Sequence, residues 1–226
     1  MVRSAIVASF VALAGTTAAQ GFAVTEIFPG ITGEDGTNDW FEITNTGAVA
    51  LDTGTLFWDD DGPNQADGAF LDSFVLAPGE SAVFLVADSL TSIEDDSPQN
   101  NAADVITQFT NVWGNVANVG ITNGGGNLSQ NGDSVNISAD GGLTFPVSAV
   151  FPSGFANSGA TVDFVSGSPV DSVLGVNGAF VSNGFFNDNI GPGDGYTLIG
   201  SPGVIPAPAS AALLGLGGLA AARRRR

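Results

Sequence analysis

The chain contains no cysteine, no histidine and no lysine, and its five basic residues are arginines confined to the two ends, Arg3 and Arg223 to Arg226. Without cysteine there is no disulfide framework, no thiolate zinc site and no cysteine nucleophile. Without histidine there is no Ser-His-Asp relay and no histidine-ligated metal. All 23 carboxylates lie between Glu26 and Asp194, so residues 20–204 carry a formal charge of −23, against −18 for the whole chain. A surface without cations cannot displace counterions from phosphates, which excludes nucleic-acid binding of the usual kind and disfavours anionic lipid headgroups. The charged partners that remain are cations, chiefly a hard divalent ion such as calcium. The competing explanation is an acid coat for solubility in salty surroundings, where screening removes most self-repulsion.

What the chain does have is enough apolar material for one core: 43% of its 226 residues are hydrophobic and 16 are Phe. Its 32 glycines, with many Asn and Asp, cut it into short β-like runs. No stretch shows convincing apolar spacing at i, i+3, i+4 and i+7, which predicts an all-β fold. Ala77-Pro78-Gly79-Glu80 suits a type II turn, and the continuous run Ser81 to Ala87 after it reads as a central buried strand. In Asp133 to Ser138, Val135 and Ile137 alternate with Ser134, Asn136 and Ser138, a half-buried strand entering a hairpin at Asp140-Gly141-Gly142. Further candidate strands are Ala23 to Phe28, Trp40 to Asn45, Gly54 to Trp58, Val105 to Phe109, Leu143 to Phe151, Ala160 to Val165, Ala179 to Val181 and Tyr196 to Ile199. Thr91 to Asn127 is long for a loop; it holds Glu94, Asp95 and Asp96 and the apolar Val105, Ile106, Phe109, Val112 and Trp113, and is expected to pack partly on the β domain.

Both ends read as targeting segments. Arg3, the apolar run Ala5 to Ala14 and the small residues through Ala19 predict a signal peptide over residues 1–19, cut after Ala19. The last segment, residues 205–226, carries Pro206-Ala207-Pro208, an apolar run Ala209 to Ala222, and Arg223, Arg224, Arg225 and Arg226. As a helix, Val204 to Ala222 would reach about 28 Å, just the thickness of a bilayer core, with the arginines cytoplasmic. This order of parts resembles the PEP-CTERM sorting signal that exosortase enzymes process in Gram-negative bacteria. It departs from the usual motif in having Ala207 where a glutamate is common. The plainer alternative is a C-terminal membrane helix with a basic stop.

A second resemblance covers nearly all of residues 20–204. Val24-Thr25-Glu26-Ile27, Asp39 to Gly47, Leu51-Asp52, Leu56 to Asp60, the Leu76 to Glu80 turn, Leu128 to Asp133 and the closing Gly200-Ser201-Pro202-Gly203 follow one another as in a lamin-tail domain. That resemblance implies an immunoglobulin-like β-sandwich, here flanked by a signal helix and an apolar sorting helix.

Two places could hold a cation. Asp59, Asp60, Asp61, Asn64 and Asp67 form an oxygen-rich loop suited to the six to eight ligands calcium takes, although its spacing is not that of an EF-hand. The same residues also suit a tight turn. Glu26, Asp39 and Glu42 stand at matching positions near the first two strands, where neighbouring carboxylates repel unless protonated or bridged by a cation. Paired carboxylates could also serve glycoside hydrolysis, but Trp40, Trp58 and Trp113 read as core anchors rather than as a sugar platform. The overall expectation is a non-enzymatic, exported cell-surface, outer-membrane or matrix module, sorted by an exosortase through transient membrane contact, with calcium as its only candidate cofactor. Its candidate partners are polysaccharide or other surface proteins. The alternatives are a carbohydrate-active or calcium-dependent hydrolase, or a polysaccharide-binding adhesin, on the same fold.

Overall fold

The computed structural model describes residues 21–31, 37–86, 102–122, 124–155, 159–185 and 195–204. Ala19, Pro206, Ala207, Pro208, Arg223, Arg224, Arg225 and Arg226, and with them both flanking helices, lie outside the described residues.

The chain is all-β with a single helix among the described residues. In order it forms β1 (Ala23–Phe28), β2 (Trp40–Thr44), β3 (Leu51–Asp52), a 3-10 turn (Thr53–Thr55), β4 (Phe57–Asp59), β5 (Ala69–Phe70), β6 (Val75–Leu76) and β7 (Ser81–Val86). There follow α1 (Ala102–Trp113), β8 (Val119–Thr122), β9 (Gly132–Ser138), β10 (Val147–Pro152), β11 (Val162–Asp163), β12 (Val170–Asp171), β13 (Phe180–Val181) and β14 (Ile199–Gly200). A six-stranded sheet runs β12-β11-β1-β2-β7-β8, a four-stranded sheet runs β10-β9-β4-β5, and β3–β6 and β13–β14 are two-stranded ribbons.

Alternation along β2 and β7 sends their apolar side chains into two different cores. Phe41, Ile43, Ala82, Phe84 and Val86 join Trp58, Val135, Ile137, Ala149 and Phe151 of the four-stranded sheet in one core. Their neighbours Trp40, Val83 and Leu85 point the other way, into a second core with Val105, Phe109, Val112 and Trp113 of α1. Burial on both faces is why β7 reads as a continuous apolar run after Ser81. The Pro78-Gly79 turn that feeds β7 has the type II form: Gly79 sits at φ +88° and Glu80 N–H donates to the Ala77 carbonyl at 2.9 Å.

Two readings are corrected. Val105 to Phe109 is not a strand but the middle of α1, whose buried Val105, Phe109, Val112 and Trp113 stand at i, i+4, i+7 and i+8. The helix is there because β7 and β8 are parallel, and a parallel pair needs a long crossover. In β9 the polar face is buried as well: Ser138 accepts from Gly142 N–H at 2.9 Å and donates to Asp140 at 2.6 Å, while Asn136 Nδ2 donates to Ser134 Oγ at 2.9 Å. Smaller shifts follow from loop geometry. Gly54 and Thr55 belong to the 3-10 turn before β4, and the strand expected from Leu143 begins only at Val147.

Candidate functional site

Glu26 and Glu42 are almost completely sealed, 1% and 2% exposed. A bulge puts them there. The β1–β2 register passes from Val24↔Ile43 to Glu26↔Glu42, leaving Thr25 as the extra residue. The bulge lets Thr25 and Glu26 both face away from the first core and returns Ile27 to it. Glu26 thus sits beside Glu42 on the adjacent strand, and beside Asp163 on β11.

Every donor around the pair belongs to the chain itself. Glu26 Oε1 accepts from Thr161 Oγ1 and from Ser201 N–H at 2.8 Å, and its Oε2 accepts from Ser201 Oγ at 3.0 Å. Glu42 Oε1 accepts from Thr25 Oγ1 at 2.6 Å and its Oε2 from Gly203 N–H at 2.6 Å. A run of hydroxyls, Thr25, Thr44 and Ser81, continues from Glu42 at 2.8 Å per step. Burial pushes the Glu26 carboxyl up to about 7, against the pull of its Thr161 and Ser201 donors, with Asp163 adding to the rise. Burial and then the Glu26 carboxylate push Glu42 to about 8.

The segment these carboxylates hold is Gly200 to Gly203. It closes as a turn, Val204 N–H donating to the Ser201 carbonyl at 2.9 Å with Gly203 at φ +71°. A Cβ on Gly200 would lie within 2.9 Å of Thr161, Trp113 and Glu26, so only glycine brings this backbone onto the pair. Gly200→Ala is therefore expected to destabilise the fold by about 1–3 kcal/mol, read as a lowered urea midpoint. A neutral outcome would mean that the closing segment packs more loosely than described.

Asp39, the third acid expected here, does not join them: it precedes β2 and lies three positions, roughly 10 Å of strand, from Glu42. The expected Asp loop connects β4 to β5. Asp59, the last residue of β4, is 1% exposed, and its Oδ2 accepts from Asn64 N–H at 2.6 Å. Its Oδ1 is buried and finds no hydrogen-bond partner. Asn64 organises the rest, Oδ1 accepting from Ala66 N–H at 2.8 Å and Nδ2 donating to Asp67 Oδ2 at 2.9 Å. Asp60 is half-buried while Asp61, Asn64 and Asp67 are exposed. Burial raises Asp59 first, with Asp67 and Asp61 adding to it, and burial likewise raises Asp60 and Asp133. Among the described residues no three acidic side chains converge as a ready-made metal cage.

Sequence reasoning missed three contributors. Thr161 and the closing turn complete the glutamate pair, and the Gly124-Gly125-Gly126 run walls the Asp loop. Trp58 Nε1 donates to the Gly124 carbonyl at 2.9 Å, and a Cβ on Gly126 would meet the Asp60 carboxylate at 2.0 Å. Three successive glycines after a strand were the available signal. All three tryptophans are buried, so none forms an exposed platform. No helix among the described residues is long and apolar enough to cross a membrane. No protein-family model, curated protein or solved structure matches the chain.

Proposed function

We propose that this chain is a non-enzymatic exported surface or matrix module, an immunoglobulin-like β-sandwich of lamin-tail type carried outward by its leader and sorted through its C-terminal tail. The observation that carries this reading is the clasp on the closing turn. Glu26 and Glu42, on the adjacent strands β1 and β2 of the larger sheet, bind Ser201 and Gly203, just ahead of the Pro206-Ala207-Pro208 motif. A tail leaving from there transmits load to the core rather than to a frayed terminus. The shared core between a six-stranded and a four-stranded sheet supports the sandwich reading. The clasp also weighs against the hydrolase alternative, because the paired carboxylates are sealed and occupied by the chain's own donors.

Expression of the full chain in a Gram-negative host carrying an exosortase tests the proposal. The expected product is shaved by external protease and has lost mass at both ends. Replacing Arg223 to Arg226 by alanine is expected to leave an unprocessed, membrane-retained form. A wild-type chain that stays in the cytoplasm with both ends intact would overturn the reading.

A further inference from the structure

We propose that the β4–β5 loop is a low-affinity site for a hard divalent cation, calcium by its chemistry, anchored on the buried Asp59 Oδ1. This rests on the loop itself and not on how the chain is exported.

The argument begins with an unmet demand. A carboxylate oxygen removed from water without a donor is costly, and such groups in folded proteins call for a water, an ion or a proton. Asp59 Oδ1 is the one carboxylate oxygen among the described residues in that condition. Trp58 points into the core, so by alternation Asp59 lies on the outer face of its sheet. There the loop closes over it, Asn64 N–H reaching its other oxygen. The charges of Asp67 and Asp61 act on it from that loop. No Lys, Arg or His occurs between Arg3 and Arg223, so no side chain of the described domain can supply the counter-charge.

The donor set decides which ion fits. Every oxygen on offer is hard: the carboxylates of Asp59, Asp61 and Asp67 and the loop carbonyls. Calcium accepts an irregular shell of six to eight oxygens, whereas magnesium demands a compact octahedron and keeps its waters. Because no three acids are preassembled, water and carbonyls must complete the shell. That places the affinity in the class of extracellular modules, a dissociation constant of about 0.1–1 mM.

The test is a calcium titration of the full chain at constant ionic strength, followed by calorimetry and by the fluorescence of Trp58, the neighbour of Asp59. Saturable binding with a midpoint of about 0.1–1 mM, and a rise of several degrees in Tm at ten times that concentration, is expected. Magnesium at equal ionic strength should reproduce little of it. Asp59→Asn should abolish binding, Asp67→Asn should weaken it several-fold, and Asp140→Asn, exposed and outside the loop, should leave it unchanged. If Asp59→Asn fails to fold, Asp67→Asn and the wild-type titration still decide. The proposal is overturned by an absence of saturable binding, by equal responses to calcium and magnesium, or by a calcium response that survives in both loop variants. In any of these cases Asp59 is satisfied by a proton or water alone.

Discussion

The melting temperature of the folded domain is expected to fall by about 10 °C or more as pH is raised from about 5 to about 8.5, the reverse of ordinary acid denaturation. Glu26 and Glu42 hold their protons up to about 7 and about 8 in the folded chain, against 4.5 when unfolded. Between those values the folded state binds more protons than the unfolded one, so stability declines with rising pH. The contribution is fully present below about 4.5, is lost through about 8 and is level above that. Glu26 alone, displaced from 4.5 to about 7, corresponds to about 3 kcal/mol, and each kcal/mol shifts Tm by about 2–4 °C at this size. The opposing contribution of Asp140, held down to about 2 by Ser138 and Thr144, is lost only at the acid end.

Differential scanning calorimetry across this range checks the expectation, and isosteric amides isolate its source. In Glu42→Gln the amide oxygen can keep the Gly203 N–H while its NH2 faces Thr25, whose hydroxyl can accept because the Thr25, Thr44 and Ser81 chain can reverse its direction. Glu26→Gln can likewise accept from Ser201 N–H and donate to Ser201 Oγ. The double variant should lose most of the slope between about pH 5 and 8.5 and be more stable than wild type at the alkaline end. A wild-type Tm that is flat or rising over this range would show that the hydroxyl and N–H donors outweigh burial, leaving both glutamates ionised in the fold.

How much of this was legible depended on whether the deciding contacts were local. Pro78-Gly79 announced its turn because proline and glycine fix the dihedrals wherever they stand. β1, β2, β7 and β9 announced themselves by apolar runs or alternation, and the Asp loop by composition. The closing Gly200-Ser201-Pro202-Gly203 was visible as a motif, but its role was not, because its partners Glu26 and Glu42 are 175 and 161 positions away. The bulge at Thr25 had no sequence mark either: it arises from pairing with β2 and decides which way Glu26 points. Polar residues proved the least reliable guides to exposure. Ser134, Asn136, Ser138, Glu26 and Glu42 are all buried because loops and turns fold back to satisfy them.

The helix is the clearest case of a signal present but outweighed, and it carries the second large prediction. Val105, Phe109, Val112 and Trp113 have helical spacing, yet the β-branched run around Val105 and Ile106 resembles the strands that surround it. Tertiary demand settles the matter: the outer face of β2 and β7 exposes Trp40, Val83 and Leu85, and α1 is what covers them. Trp40 is the centre of that contact, edge-on to Phe109 and Trp113 at 5.9 and 5.7 Å and tilted against Phe28 at 6.1 Å. Trp40→Ala is therefore expected to cost about 3–5 kcal/mol, from lost transfer energy and the cavity left behind. Trp40→Phe, which refills most of the space, should cost much less. If α1 is an integral layer, helical ellipticity and the β-sheet signal should disappear in one urea transition at the lowered midpoint, with amide exchange in α1 accelerated to the rate of β7. A helix signal lost well before the sheet would instead show that α1 is a detachable cover and that β1, β2 and β7 stand on the first core alone.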